Sequence, residues 1–310
     1  MQKVAIIGVG NVGSTVAFTL FTHGTVGQIY LLDKNALKVE ANERDLRDAT
    51  VRDHYTVKVN GLDWNSESDW KKLKDVDVIV TAFGDISATA RTGDRQAELK
   101  LNTLGARDIG NKIKKSGFNG IILNISNPCD IIVTELQKQT GLPKNRVFGT
   151  GTFLDTSRMK RFVAEELNVD PHNVHGYVLA EHGASQFTAW STVYIGDKKA
   201  SELFSKEKLD DLSSQPNRSS KRVSHGKGFT NWAIASTAAR LIEDIFVDAH
   251  SIVPCSNYDK DFNVYASWPV VLGENGIERR IKLNLTDDEK KKYKESLKLL
   301  VERKQKAEKM

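Results

Sequence analysis

The sequence predicts an α/β protein, with a doubly wound parallel sheet in its first half and a smaller α+β unit in its second. Three observations predict it. Up to about residue 150, short runs rich in Val and Ile alternate with longer stretches of helical periodicity. A glycine-rich turn, in VAIIGVGNVGSTVAF, joins the first run to the first helical stretch. Beyond residue 150 the rhythm changes to longer extended segments, polar turns and isolated helices.

Taken in order, the expected strands are 4–9, 28–33, 56–59, 76–82, 120–125 and 147–149. Several are almost wholly apolar, as in a sheet buried on both faces. Helical spacing falls at 11–24, 36–51, 93–116 and 128–140, between the strands. A helix over 154–167 then leads to extended stretches at 174–179 and 188–195. Residues 213–220, rich in Ser and Asn and holding Pro216, read as a loop. A helix over 230–246, more extended chain and a basic amphipathic helix over 290–309 complete the pattern.

Composition narrows the function classes. The 310 residues are 39% hydrophobic and 27% charged, as in a soluble globular protein, and no apolar run is long enough to span a bilayer. The chain enters KVAIIGVG with no export signal, so a cytoplasmic location is expected. Cys129 and Cys255 stand far apart without a CxxC or Cys/His cluster, which fits reduced thiols and no metal site. The net charge of +5 is modest. In the terminal segment Tyr293, Leu297, Leu300 and Val301 recur at helical spacing, so its lysines form a solvated face, with neither nucleic acid nor membrane as partner.

The glycine-rich turn carries the first chemistry. Gly8, Gly10 and Gly13 fall in G-x-G-x-x-G order between a strand and a helix, the context that gives this motif physical meaning. Gly8 permits the tight turn, Gly10 lets a pyrophosphate approach the backbone, and Gly13 lets helix pack on strand. The diphosphate would meet the N–H groups of Asn11 and Val12 at the positive end of the helix dipole. Asp33 ends the second strand, where a carboxylate accepts hydrogen bonds from ribose hydroxyls and repels a 2′-phosphate. The expected cofactor is NAD, held by a Rossmann domain.

The second constellation lies in GTGTFLDTSRMKRF and NVHGYVLAEHGAS. Asp155 and Arg158 share one face of a helix at i,i+3, and His182 follows a strand. Oxidising a 2-hydroxy acid needs these three side chains. A His exchanges the hydroxyl proton, a carboxylate fixes the imidazole tautomer, and an Arg grips the substrate carboxylate through two parallel hydrogen bonds. Singly, a His before Gly and an Asp–Arg pair are as readily structural; their occurrence together, after a dinucleotide motif, is what points to chemistry.

GVGNVG, ISNPCD, GTGTFLDTSR, AEHG and GKGFT occur in the order seen in lactate/malate dehydrogenases, and nearly the whole chain resembles that family. The resemblance implies an N-terminal Rossmann NAD-binding domain over 1–147, a C-terminal α+β substrate domain over 148–310, and assembly as a homotetramer. It implies that Asp155 and His182 relay the proton and that Arg158 binds the carboxylate. Arg95, in TGDRQAELKLN, matches the catalytic Arg of the loop that closes over substrate. Asn127, before Pro128, matches the Asn near the substrate oxygen and the cofactor, where the Asn–Pro bond is commonly cis. Thr230 and Ile234 match residues lining the pocket.

The family reads the substrate side chain partly through the residue six before the loop Arg, an Arg in malate enzymes and usually a Gln in lactate enzymes. Here that count reaches Thr89, with Arg91 the nearby cation, and the segment 84–95 is longer than the lactate pattern. Ala184 replaces the acid that usually follows HisGly. AEHGASQFTAWSTV and SNYDKDFNVYASWPVVLGENGI are most similar to L-2-hydroxyisocaproate dehydrogenases, which act on larger aliphatic 2-hydroxy and 2-oxo acids. The expected substrate is therefore a branched or longer 2-oxo acid, with L-lactate and then malate dehydrogenase as alternatives. Lys160 and His175 stand where some relatives bind a sugar bisphosphate, and they read as ordinary interface or surface residues. A redox sensor that had lost catalysis would need the glycines and Asp33 but not His182, Asp155, Arg158 and Arg95 together.

Overall fold

The computed structural model describes residues 1–51, 54, 56–84 and 95–310, the side chains of 95–98 excepted. Its strands and helices alternate through the first half: β1 (Lys3–Ile7), α1 (Asn11–Thr22), β2 (Gln28–Leu32), α2 (Ala36–Thr50), β3 (Lys58–Gly61), α3 (Glu67–Lys71), β4 (Val78–Thr81), α4 (Arg95–Ser116), β5 (Ile121–Asn124), α5 (Cys129–Thr140) and β6 (Val147–Gly149). These six strands pair in parallel in the order β3-β2-β1-β4-β5-β6. That is the doubly wound order, with its reversal between β1 and β4.

Strand alternation divides the core between the two faces of the sheet. Val4 and Ile6 of β1, Val78 and Val80 of β4, and Leu123 of β5 pack with α1 and α2 on one side. Ala5, Ile7, Ile79 and Ile122 turn to the other, against Trp70, Ile109, Ile113 and Ile132 from α3, α4 and α5. Period-two apolar strands with helices on both faces follow directly from this burial. Helix α3 was not foreseen; Ser66 caps it by accepting from the Asp69 N–H, and Trp70 anchors it.

The second half contributes α6 (Phe153–Leu167), β7 (Val174–His175), β8 (Val178–Leu179), β9 (Phe187–Thr188), β10 (Tyr194–Ile195), β11 (Lys198–Lys199), α7 (Ala200–Leu203), α8 (Lys206–Lys227), α9 (Trp232–Phe246), β12 (Ser251–Asp259), β13 (Val264–Gly273), β14 (Gly276–Arg280) and α10 (Asp287–Glu308). The short strands form the sheets β11-β10-β7 and β8-β9. The long strands β12, β13 and β14 instead continue the main sheet antiparallel beyond β6, giving nine strands and covering an edge that would otherwise be unpaired.

Three local expectations are corrected. Residues 213–220 belong to the 22-residue helix α8, not to a loop. Leu209, Leu212 and Pro216 are its buried stripe; the two leucines join a core with Met159 and Val163 of α6, and Ser213 and Asn217 bond Trp190 and Gln186. Packing thus outweighs the cost of an interior proline, on the order of 3 kcal/mol. The extended stretches at 174–179 and 188–195 are pairs of two-residue strands. Gly176 breaks the first at φ +121°, and a 3-10 turn over Trp190–Thr192 breaks the second. Helix α10 starts earlier than the basic run predicts, because Thr286 and Glu289 form a capping box.

Candidate active site

At the carboxyl end of β1 the chain turns tightly into α1. Gly8 has φ +100°, and a Cβ there would lie 2.6 Å from the carbonyl oxygen of Ala82. A Cβ on Gly13 would lie 1.8 Å from the Gly8 oxygen, so this contact of helix with turn requires hydrogen. Gly10 differs: a Cβ there would touch nothing within 4 Å, leaving the approach to its backbone open. Among the described residues no side chain caps α1 and no acid stands in its first turn, which leaves the N–H groups of Asn11 and Val12 and the positive end of the helix dipole for a ligand. The Asp33 carboxylate is braced beside them, Oδ2 accepting from Val9 N at 2.9 Å and Oδ1 from Asn35 N at 2.9 Å. A glycine loop, a bare helix N-terminus and a fixed carboxylate at the switch point suit a dinucleotide.

The second group is assembled from distant segments. Asp155 lies in the first turn of α6, with Arg158 one turn on. Thr152 and Thr156 bind the Val178 carbonyl and N–H, fixing α6 to β8 immediately before the segment that carries His182. There Ala180, fully buried, takes φ +78° and exchanges both backbone hydrogen bonds with Ser267. Such a conformation is strained for alanine and persists only where the surroundings hold it. The chain then presents His182, whose Nδ1 lies 2.9 Å from Asp155 Oδ2, while Arg158 Nη1 donates to Asp155 Oδ1 at 3.0 Å. The Asp155, Arg158 and His182 side chains are 3%, 11% and 29% exposed. Among the described residues Nε2 of His182 has no protein partner.

Electrostatics favour a charged imidazole. Burial works to lower the His182 pKa, but the Asp155 charge and hydrogen bond, joined by the Asp130 charge, outweigh it and raise the pKa above 6.5. Burial likewise works to raise the Asp155 pKa, and His182 and Arg158 together hold it below the ordinary carboxylate value. The group can therefore present a protonated imidazole beside a guanidinium that, among the described residues, has spent one of its five donors.

Other expected residues are placed less completely. The Asn127–Pro128 bond is cis, and the Asn127 carbonyl accepts from Asn102 Nδ2 at 2.7 Å, leaving an exposed side chain. Thr230 Oγ1 is buried without a hydrogen-bond partner among the described residues. Ile234, half-buried, lies on α9, which packs against α6. Helix α4 begins at Arg95, whose side chain lies outside the described residues, as do Thr89, Arg91 and the rest of 85–94. Ala184 is exposed. Cys129 and Cys255 are buried and free. Among the described residues no helix is long and apolar enough to cross a membrane.

Sequence reading missed Asp130. Its carboxylate is fully buried, with Oδ2 accepting from His182 N at 2.9 Å and Oδ1 from Ser256 Oγ at 2.5 Å. Its one local signal is its place in ISNPCD, an acid in the first turn after Pro128.

The model of the NAD binding domain of lactate/malate dehydrogenase matches residues 2–149, and that of the family's alpha/beta C-terminal domain matches 152–310. The chain belongs to the lactate/malate dehydrogenase family. It is an NAD-dependent oxidoreductase acting on CH–OH groups, with a Rossmann-type parallel sheet and a C-terminal α/β domain. L-lactate dehydrogenase 1 of Bifidobacterium longum is 35% identical over 97% of this chain and 96% of its own. Among solved structures of the family, the minor L-lactate dehydrogenase from Enterococcus mundtii superposes with a TM-score of 0.91 at 29% identity, covering 97% and 98% of the two chains. The malate dehydrogenase from Picrophilus torridus superposes at 0.92 and 26% identity, covering 99% and 98%.

Proposed function

We propose that this lactate/malate-type 2-hydroxyacid dehydrogenase reduces branched or longer aliphatic 2-oxo acids such as 2-oxoisocaproate. The observation that carries the chemistry is the shared Asp155 carboxylate, 2.9 Å from His182 Nδ1 and bonded to Arg158. NADH, when bound against Gly8, Gly10, Asn11, Val12, Gly13, Asp33 and Asn127, supplies a hydride to the substrate C2. His182 Nε2 gives its proton to the carbonyl oxygen, and Asp155 keeps Nδ1 protonated throughout. Arg158 grips the substrate carboxylate with its remaining donors. The family resemblance gives Arg95 the role of polarising the carbonyl. Thr230 and Ile234 line the pocket. Oxidation of the hydroxy acid runs these steps backwards.

The side-chain preference rests on sequence. Thr89, at the discriminating position, offers no cation to a second carboxylate, and desolvating that carboxylate unpaired would cost several kcal/mol. An apolar side chain gains up to about 0.8 kcal/mol per buried CH₂. L-lactate dehydrogenase is the second reading, favoured by the name of the Bifidobacterium longum relative. NADH oxidation across pyruvate, 2-oxobutyrate, 2-oxoisocaproate and oxaloacetate separates them. Higher kcat/KM for 2-oxoisocaproate than for pyruvate is expected. Pyruvate at least about tenfold better, a difference of ~1.4 kcal/mol, would make the protein a lactate dehydrogenase. A lead for oxaloacetate would assign Arg91 to the second carboxylate. We further propose a cytoplasmic homotetramer whose protomer divides into a cofactor part over 1–147 and a substrate part over 148–310.

A further inference from the structure

We infer that the ion pair between Arg303, on the C-terminal helix α10, and Glu181, the residue before His182, positions His182 for proton transfer. The inference rests on the reading of His182 as the proton carrier. Arg303 lies 121 residues after His182 in the chain and comes from an element with no part in the chemistry itself.

The Glu181 side chain is 3% exposed and its Oε1 is paired with the Arg303 guanidinium. Oε2 accepts from the hydroxyl of Ser185 at 2.5 Å and from its N–H at 3.2 Å, so residues 181–185 wrap around this carboxylate. The wrap is close: a Cβ on Gly183 would lie 2.6 Å from Glu181 Oε1. Helix α10 makes a second contact through Ser296, whose Oγ accepts from Glu181 N at 3.2 Å and lies 2.7 Å from Ser185 Oγ. His182 thus sits between a strained Ala180 and a loop closed on a buried carboxylate, with its own N–H held by Asp130.

Among the described residues, only Arg303 brings a positive charge to that carboxylate. A buried carboxylate left without its cation must take up a proton or move towards water, and either change loosens the turn that aims the imidazole. The Arg303 charge also reaches Asp130, where it opposes the rise in pKa that burial imposes. One guanidinium therefore supports both carboxylates that flank the His182 peptide. Displacing a proton donor by about 1 Å is enough to cost up to about 10²-fold in rate.

The test uses the full-length enzyme and its best 2-oxo acid. Arg303→Met should lower kcat by about tenfold to a hundredfold, leave NADH affinity unchanged, and raise the solvent deuterium isotope effect on kcat as proton transfer becomes limiting. Arg303→Lys should retain most of the rate. The double variant Glu181→Gln/Arg303→Met, which buries no unpaired charge, should recover most of what Arg303→Met loses. If Arg303→Met does not fold, Ser296→Ala provides the isotope-effect measurement instead, and a rise is again expected. A folded Arg303→Met enzyme with wild-type kcat and isotope effect overturns the inference. So does a loss that the double variant does not relieve, or Ser296→Ala with an unchanged isotope effect. His182→Ala separates this from failure of the underlying reading: if it turns over normally, His182 is not the proton carrier at all. If it is inactive while Arg303→Met is normal, only the positioning role falls.

Discussion

Asp155 Oδ2 and His182 Nδ1 lie 2.9 Å apart although 27 residues separate them in the chain. This contact sets both the tautomer and the charge of the imidazole. Burial works to discharge His182, yet Asp155, with Asp130 behind it, more than reverses the effect. Reduction of a 2-oxo acid needs the protonated form. The kcat/KM for reduction should therefore be level at low pH and fall about tenfold per unit above a pKa that exceeds 6.5. Asp155→Asn removes the charge that raises this pKa, so the falling limb should move to lower pH. A pH profile of NADH oxidation by the two enzymes checks it, and superimposable limbs would sink the pairing.

Arg158 and His182 should separate in kinetics. Arg158→Lys replaces a planar fork by a point charge and should weaken 2-oxo acid binding by about 2–4 kcal/mol, roughly thirty- to nearly a thousand-fold, with NADH affinity intact. His182→Ala should instead lower turnover by about 10²–10⁴-fold. Steady-state kinetics and NADH fluorescence titration distinguish the two. Wild-type KM and kcat in Arg158→Lys would remove that residue from the site.

The second and third glycines of the turn should fail differently. A Cβ at Gly10 meets no protein atom, so Gly10→Ala should melt like the wild type but bind NADH more weakly, the methyl standing where the diphosphate approaches the backbone. A Cβ at Gly13 would overlap the Gly8 oxygen, 1.8 Å away, so Gly13→Ala must push α1 off β1 and lower the melting temperature. Thermal melts with and without NADH decide it. Equal destabilisation by both substitutions would contradict the geometry.

Asp33 predicts cofactor choice. Its carboxylate is held by two backbone N–H groups beside the glycine turn, where a 2′-phosphate would meet a fixed negative charge. The enzyme should use NADH far more efficiently than NADPH, and Asp33→Ser should narrow the gap. Comparing kcat/KM for the two cofactors tests this directly; equal values in the wild type would show that Asp33 does not face the ribose.

The sequence alone determined the alternating half of the molecule, its glycine turn, Asp33, and the Asp155–Arg158 pair one helical turn apart. These depend on strand and helix periods and on φ/ψ needs that a short window of residues contains in full. It also determined the family, because motifs in a fixed order carry that information without coordinates. Tertiary structure decided what depends on where the chain returns. The serines, asparagine and proline of 213–220 read locally as a loop, yet form helix where Leu209 and Leu212 meet α6 and Trp190 and Gln186 supply partners. β12 looks like any β-rich segment until it pairs beyond β6 and extends the parallel sheet. Asp130 and Arg303 have no spacing that links them to His182; they reach the His182 turn from α5 and α10, and burial gives their charges weight. Local patterns placed Asp155 and Arg158 on their helix and His182 after its strand. Only the packing of distant elements in a low-dielectric interior could set the tautomer, charge and aim of the imidazole.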